Sequence, residues 1–298
     1  SAMAESPLEP GLIYAGTDRG AFWVTRNDGG DWQEHSKGLP DYYVRSICPS
    51  RFSPSRVYAA VAGINYDELG NYLYVSEDYG KNWQSISSGL PDETAYVILE
   101  DPVHENILYA GLYRGVYVST DRGKNWSLLG PELPAAAISD LVIQEREMDL
   151  VAGTHGRGIY KMNITPIQEA FESGPPRKNI LFAPPAARLP WFNDSHGDPR
   201  LSTLVKVPFT FYLTASKDVR ISIVNENGEA VWSQTMMGQR GFNQIRWDLV
   251  IDKVDSPRPY FIHYLRFIQP GTYQLRLSGE GLDLSRKFTV VKRERPPE

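Results

Sequence analysis

Apolar and polar residues alternate along most of this chain, in runs of about four to ten. This is the two-residue period of half-buried β-strands. The runs are separated by Gly, Pro, Asn and Asp, the residues that close tight turns. In the first half, LIYAGTDRGAFWVT, RVYAAVAGINYDELGNYLYVS and ILYAGLYRGVYVS each read as two strands joined by a turn, and DLVAGTHGRGIYKMN repeats the form. TPIQEAFE reads as one short helix. The rest of residues 166–202 is Pro-rich and irregular, a linker or strap for which Trp191 and Phe192 are natural anchors. Alternation returns over 203–293, in LVKVPFTFYLT, in the hairpin VRISIVNENGEAVWSQT with Asn227-Gly228 as its tight turn, and in GFNQIRWDLV, GTYQLRLSG and LDLSRKFTVV. Five or six such strands in about 90 residues predict an immunoglobulin-like sandwich. The fold class expected is all-β.

Within the first half one phrase recurs: VTRNDGGDW at 24–32, VSEDYGKNW at 75–83 and VSTDRGKNW at 118–126. Trp32, Trp83 and Trp126 stand 51 and 43 residues apart. Four short strands per repeat of this length make a propeller blade. The phrase has a local physical meaning. Thr25, Ser76 or Ser119 ends a strand. Asn27, Asp78 or Asp121 accepts hydrogen bonds from turn amides. Gly29, Gly80 or Gly123 permits positive φ. Trp32, Trp83 or Trp126 then buries a flat ring between blades. Lettering the strands of a blade a to d from the axis outward, the chain reads b-c-d, a-b-c-d, a-b-c-d, a-b-c over residues 11–165. That makes fourteen strands, or about three and a half four-stranded blades. Such a count leaves strand edges open. The chain is therefore expected to be the C-terminal portion of a larger propeller, completed by an N-terminal segment or by a second chain. Residues 1–10, opening on Ser-Ala-Met, read as an expression remnant and disordered lead, and 294–298 as a tail.

The pattern S-x-D-x-G-x-x-W resembles the Asp-box, or bacterial neuraminidase repeat. The boxes and their YAG flanks are similar to sortilin-like and glycoside-hydrolase-like Asp-box propellers over about residues 11–164, and AGTHGRGIY resembles their closing blade. The resemblance implies the fold and little chemistry, because the group holds sialidases, xyloglucanases and protein receptors. The second half is similar to the Ig-like modules of hook-capping proteins and C-terminal sorting domains. Trp247 and Tyr273 are then core residues.

Charge narrows the partners. Residues 1–165 carry 13 Lys+Arg against 22 Asp+Glu, and residues 166–298 carry 18 against 14. An overall net charge of −5 argues against nucleic acid. No run approaches the ~20 apolar residues of a membrane helix. Cys48 is the one cysteine, which excludes an intrachain disulfide. No cofactor is expected, and the five histidines lack metal-ligand spacing. An extracytoplasmic home, secreted, periplasmic or cell-surface, follows from the resemblance alone.

Candidate chemistry falls on the b–c turns, which share one face with the d–a connections. The ligand-binding candidates are Arg19, Tyr66, Asp67, Glu68, Tyr113, Arg114, His155 and Arg157. The d–a connections add Asp41, Tyr42, Tyr43, Asp92 and Glu93. Tyrosines would stack on sugar rings and arginines would hold carboxylates. Arg19, Arg114 and Arg157 each precede a glycine, so each also reads as an ordinary turn residue. A glycoside hydrolase would need two carboxylates about 5–9.5 Å apart on these loops. The reading favoured is a glycan- or protein-binding module. A hydrolase and an assembly protein are the alternatives.

Overall fold

The computed structural model describes residues 2–64, 67–129, 136–171, 176–189, 206–255 and 263–292. The chain divides into two compact units, residues 1–176 and 177–298.

The first unit is a series of antiparallel meanders. β1 (Ala2–Glu5), β2 (Ile13–Gly16), β3 (Phe22–Thr25) and β4 (Gln33–Glu34) form the first sheet. β5 (Tyr43–Pro49), β6 (Val57–Ala62), β7 (Tyr72–Ser76) and β8 (Gln84–Ser85) form the second. β9 (Ala95–Glu100), β10 (Leu108–Leu112), β11 (Val116–Ser119) and β12 (Ser127–Leu129) form the third. β13 (Ile138–Gln144), β14 (Asp149–Thr154) and β15 (Ile159–Asn163) form the fourth, which has three strands among the described residues. A short helix α1 (Thr165–Phe171) follows and buries Ile167, Gln168 and Phe171.

The N-terminus corrects the sequence reading. Ala2–Glu5 is the innermost strand of the first sheet and pairs with Ile13–Gly16, so this sheet has four strands and not three. Ser6 accepts the backbone N–H groups of Leu8 and Glu9. Ser50 does the same for Phe52 and Ser53, and Asp101 for Val103 and His104. The three side chains shape one recurring a–b turn, which makes Ser6 part of the repeat.

Each innermost strand packs on the two inner strands of the sheet before it: β5 on β1 and β2, β9 on β5 and β6, β13 on β9 and β10. This is the packing of consecutive propeller blades. It explains the small residues of the YAG motif. A Cβ on Gly16 would collide with Val44 of the next sheet, and one on Gly111 would lie 2.6 Å from Ile138 Cγ2. The position must be small for the next strand to approach.

The boxes form one hairpin three times. Ser76 Oγ donates to Asp78 Oδ1 (2.8 Å) and accepts the Gly80 N–H (2.8 Å). Asp78 accepts the Asn82 N–H (2.8 Å) and side-chain amide (2.6 Å). Ser119, Asp121, Gly123 and Asn125 repeat this within 0.1 Å. In the first copy Thr25 and Gly29 take the same roles, but amide and acid exchange places: Asn27 Oδ1 accepts the Asp31 N–H, and Asn27 Nδ2 donates to Asp31 Oδ2.

The tryptophans staple sheet to sheet. Trp83 Nε1 donates to His35 O of the first sheet (3.0 Å) and meets Phe22 edge-on at 4.8 Å. Trp126 Nε1 donates to Ile86 O of the second (2.7 Å). His35 and Ile86 each lie three residues beyond the preceding box tryptophan. Among the described residues no sheet precedes that of Trp32. It is 39% exposed, and its N–H meets no acceptor among the described residues.

The second unit is a two-sheet sandwich, and the strap contributes to both sheets. β16 (Ile180–Leu181), β18 (Val207–Leu213) and β21 (Gly241–Trp247) form one. β17 (Ala187–Arg188), β25 (Leu282–Val291), β24 (Gly271–Gly279), β19 (Lys217–Val224) and β20 (Ala230–Gly238) form the other. Trp247, Phe209, Phe211, Ile221, Ile223, Leu275 and Leu277 lie in the core between them. Tyr273 packs at its edge. β22 (Val250–Asp255) and β23 (His263–Phe267) form a separate hairpin. The β19–β20 turn is longer than the two-residue turn read from Asn227-Gly228. Gly228 N–H donates to Asn225 O, Gly228 has φ +83°, and Asn225 Oδ1 accepts the Asn227 and Glu229 amides. Trp191 and Phe192 lie outside the described residues.

Candidate functional site

The b–c turns and the starts of the innermost strands come together in every sheet. The Gly20 turn lies against Pro40 and Asp41, and Thr17 O accepts the Val44 N–H. The longer loop of the second sheet reaches Thr94, whose hydroxyl donates to Leu69 O at 3.5 Å. In the third sheet Arg114 Nε lies 3.8 Å from Glu93 Oε2. In the fourth, His155 N–H donates to Ala137 O. The shared face expected from the sequence is thus built by direct contact.

The third sheet carries the densest cluster. Glu93 is nearly buried and accepts a hydrogen bond from Tyr117 Oη at 3.4 Å. Burial raises its pKa, against the opposing pull of Tyr117 and Arg114. Burial, with Glu93 beside it, raises the Tyr117 phenol to about 12. Arg114 is mostly exposed, and Tyr113 beside it is 49% exposed. In the second sheet Glu68 caps its own loop by accepting the Gly70 N–H. Burial, with Glu68 nearby, raises Tyr72 to about 12.

The remaining sequence candidates are not gathered in. Arg19, Asp67, His155 and Arg157 are exposed and make no side-chain hydrogen bond or ion pair among the described residues. Asp67 has φ +59°, and Gly156 and Gly158 have φ +80° and +91°, so these positions serve the turns. Tyr66 lies outside the described residues. Among the described residues no group of His, Cys, Asp and Glu is placed to hold a metal.

Two residues escaped the sequence reading. The register of β5 on β6 slips between Val44 and Ser46, leaving Arg45 as a bulge. That of β9 on β10 slips so that Tyr96 is skipped, and that of β13 on β14 skips Ser139. One extra residue thus stands at the same point of three successive innermost strands. A bulge re-aims its side chain and is common beside functional sites. Arg45 Cζ lies 5.7 Å from the centroid of Tyr43 and 5.3 Å from that of Tyr96, across the junction of the second and third sheets.

Away from this face, grooves of about 770 and 380 Å³ run between neighbouring sheets on the box side. The larger is lined by Glu77, Gln84, Asp121 and Arg122 among others, and the smaller by Arg26, Asn27, Asp31 and Tyr79. They are the gaps between successive box hairpins.

Residues 73–86 match the family model of the BNR-Asp box repeat. This stretch contains the Asp-box of the second sheet. None of the curated proteins matches the chain significantly. Among solved structures, an ancestral GH74 enzyme is similar at 16% identity and a TM-score of 0.45, over 96% of this chain and 40% of that one. The GH74 enzyme of Niastella koreensis gives 15%, 0.44, 84% and 38%. YCF48 bound to D1 peptide gives 13%, 0.40, 97% and 80%. The chain therefore spans about two fifths of the GH74 enzymes it matches. Likeness at this level transfers no activity. No helix among the described residues is long and apolar enough to cross a membrane.

Proposed function

We propose that the chain is part of an extracytoplasmic Asp-box propeller protein whose b–c turn face binds a glycan or a protein, with the immunoglobulin-like sandwich as a spacer or docking module. The observation that carries this reading is the cluster of Tyr113, Arg114, Glu93 and Tyr117 on that face. It offers an exposed aromatic ring and a solvent-facing guanidinium on one turn, beside a nearly buried carboxyl from the start of the adjoining strand, a usual composition for polar ligand recognition. Glu93 is engaged by Tyr117 and Arg114, which fixes its carboxyl on this face.

Both ends of the sheet series support completion by further blades, from another segment or a second chain. At one end Trp32 offers an unused indole. At the other, a Cβ on Gly153 would find nothing nearer than Asp140 at 3.9 Å, where Gly16 and Gly111 are covered. Val142 and Ile159 of that sheet are exposed.

A screen of immobilised glycans and of chromogenic glycosides with this chain tests the reading. Binding that Tyr113→Ala and Arg114→Ala each weaken at least tenfold, without turnover, supports it. Turnover, or binding that neither substitution alters, overturns it.

A further inference from the structure

We infer that the guanidinium of Arg45 is the seat for the carboxylate of an acidic saccharide. This rests on the binding-face reading above and names the ligand class. Three independent observations lead to it.

The first is the bulge. Arg45, Tyr96 and Ser139 are each the one residue their strand carries in excess of its partner. Three consecutive sheets hold this irregularity in register. It does not serve pairing, since it interrupts the ladder. Its effect is to bring polar side chains to the inner ends of neighbouring strands, close to the b–c turns.

The second is the unmet donor. Arg45 Nε is buried and has no hydrogen-bond partner among the described residues. The buried Arg56 of this unit, by contrast, is held by acids, reaching Glu77 and Glu105. Among the described residues Arg45 has the faces of Tyr43 and Tyr96 beside it. Ring faces stabilise the cation but accept no N–H in the guanidinium plane. A buried charged donor without an acceptor is costly. A planar carboxylate arriving in that plane would satisfy it in the fork geometry that arginine offers. This holds although the first half of the chain is acidic overall, so the lack of a protein carboxylate here is not for want of acids nearby in sequence.

The third is what surrounds it. Leu112 pairs with Ala95, which sets Tyr113 beside the strand start that carries Glu93 and Tyr96, and Arg114 next to it reaches Glu93 at 3.8 Å. The exposed ring of Tyr113 is a stacking platform for a pyranose. The Glu93 carboxyl, held by Tyr117, can exchange hydrogen bonds with ring hydroxyls. A guanidinium for the acid group, a flat ring for the sugar and a carboxyl for its hydroxyls together describe a uronic-acid residue better than a neutral sugar.

Calorimetric titration of the chain with trigalacturonic acid, galactotriose and a tripeptide with a free C-terminus tests this. Trigalacturonic acid is expected to bind at least tenfold more tightly than galactotriose. Arg45→Gln is expected to remove that preference and Arg45→Lys to reduce it several-fold, because lysine keeps the charge without the fork. Arg146→Gln, at an exposed hairpin, is expected to change nothing. Melting temperatures of both Arg45 variants establish folding. Should Arg45→Gln fail to fold, Arg45→Lys decides. Equal binding of acidic and neutral sugars, unaffected at Arg45, overturns this inference and leaves the binding face standing. Tighter, Arg45-dependent binding of the peptide overturns the saccharide assignment. Binding of none of the three overturns the inference, and the glycan screen decides the binding face separately.

Discussion

Replacing each box tryptophan by phenylalanine separates a packing role from a hydrogen-bonding one. Trp83→Phe keeps most of the apolar ring against Phe22 but removes the N–H that donates to His35 O at 3.0 Å. A neutral hydrogen bond contributes about 1 kcal/mol net, and leaving its half-buried acceptor unpaired can double that. The edge-to-face contact contributes about another 1 kcal/mol and survives in part. Trp83→Phe should therefore cost about 1–2 kcal/mol, and Trp126→Phe the same. Trp83→Ala, which empties the wedge as well, should cost about 3 kcal/mol. Trp32→Phe should stay within about 0.5 kcal/mol, because that indole is exposed and donates to nothing here. Urea unfolding followed by near-UV circular dichroism reads these values. In a unit of this size each kcal/mol also moves the thermal midpoint by about 3 °C. Equal losses at Trp32 and Trp83 would refute the claim that the indole works between sheets. So would a loss at Trp83→Phe below about 0.3 kcal/mol.

Asn82→Asp should destabilise the second hairpin by about 1 kcal/mol at neutral pH, since a second carboxylate would face Asp78. Adding Asp78→Asn should restore it, because the first hairpin already works in that arrangement, and a double-mutant cycle measures the coupling. Glu100 is buried, accepts hydrogen bonds from Ser50, Arg51 and Tyr58, and has a pKa raised chiefly by burial. Its folded form therefore holds a proton more firmly than its unfolded form. The parent chain should gain stability relative to Glu100→Gln as pH falls from 7 towards 4.5, and parallel denaturation curves across that range check the sign. Gly123→Ala should cost more than about 2 kcal/mol, from φ +82° and a Cβ only 2.7 Å from Ile86 Cβ. Gly156→Ala, at φ +80° in open space, should cost about 1 kcal/mol by the same assay.

Most of the first unit was legible because its repeats write the same hairpin in nearly the same letters. The first strand was not. Ala2–Glu5 has no β-branched or aromatic residue, and its strand character comes from pairing with Ile13–Gly16. β16 and β17 are two residues long, too short for any period to show, and both are recruited by longer neighbours. At the site, Arg114 and Glu93 stood out as turn residues, but their pairing joins segments about twenty residues apart, and alternation says nothing of that. Arg45 and Tyr96 were hidden for a sharper reason. A bulge adds one residue to a strand, and a reading based on a period of two assigns everything beyond it to the opposite face.

Trp32 has one practical consequence. An indole facing water emits at longer wavelength and is open to collisional quenchers, and its two counterparts at the inner sheet junctions are shielded. Whatever settles on the outer side of the first sheet must dry that ring. Measured as the difference from a Trp32→Phe chain, which cancels the other tryptophans, that emission is an optical gauge of whether the series of sheets is extended, needing no label and no knowledge of what extends it.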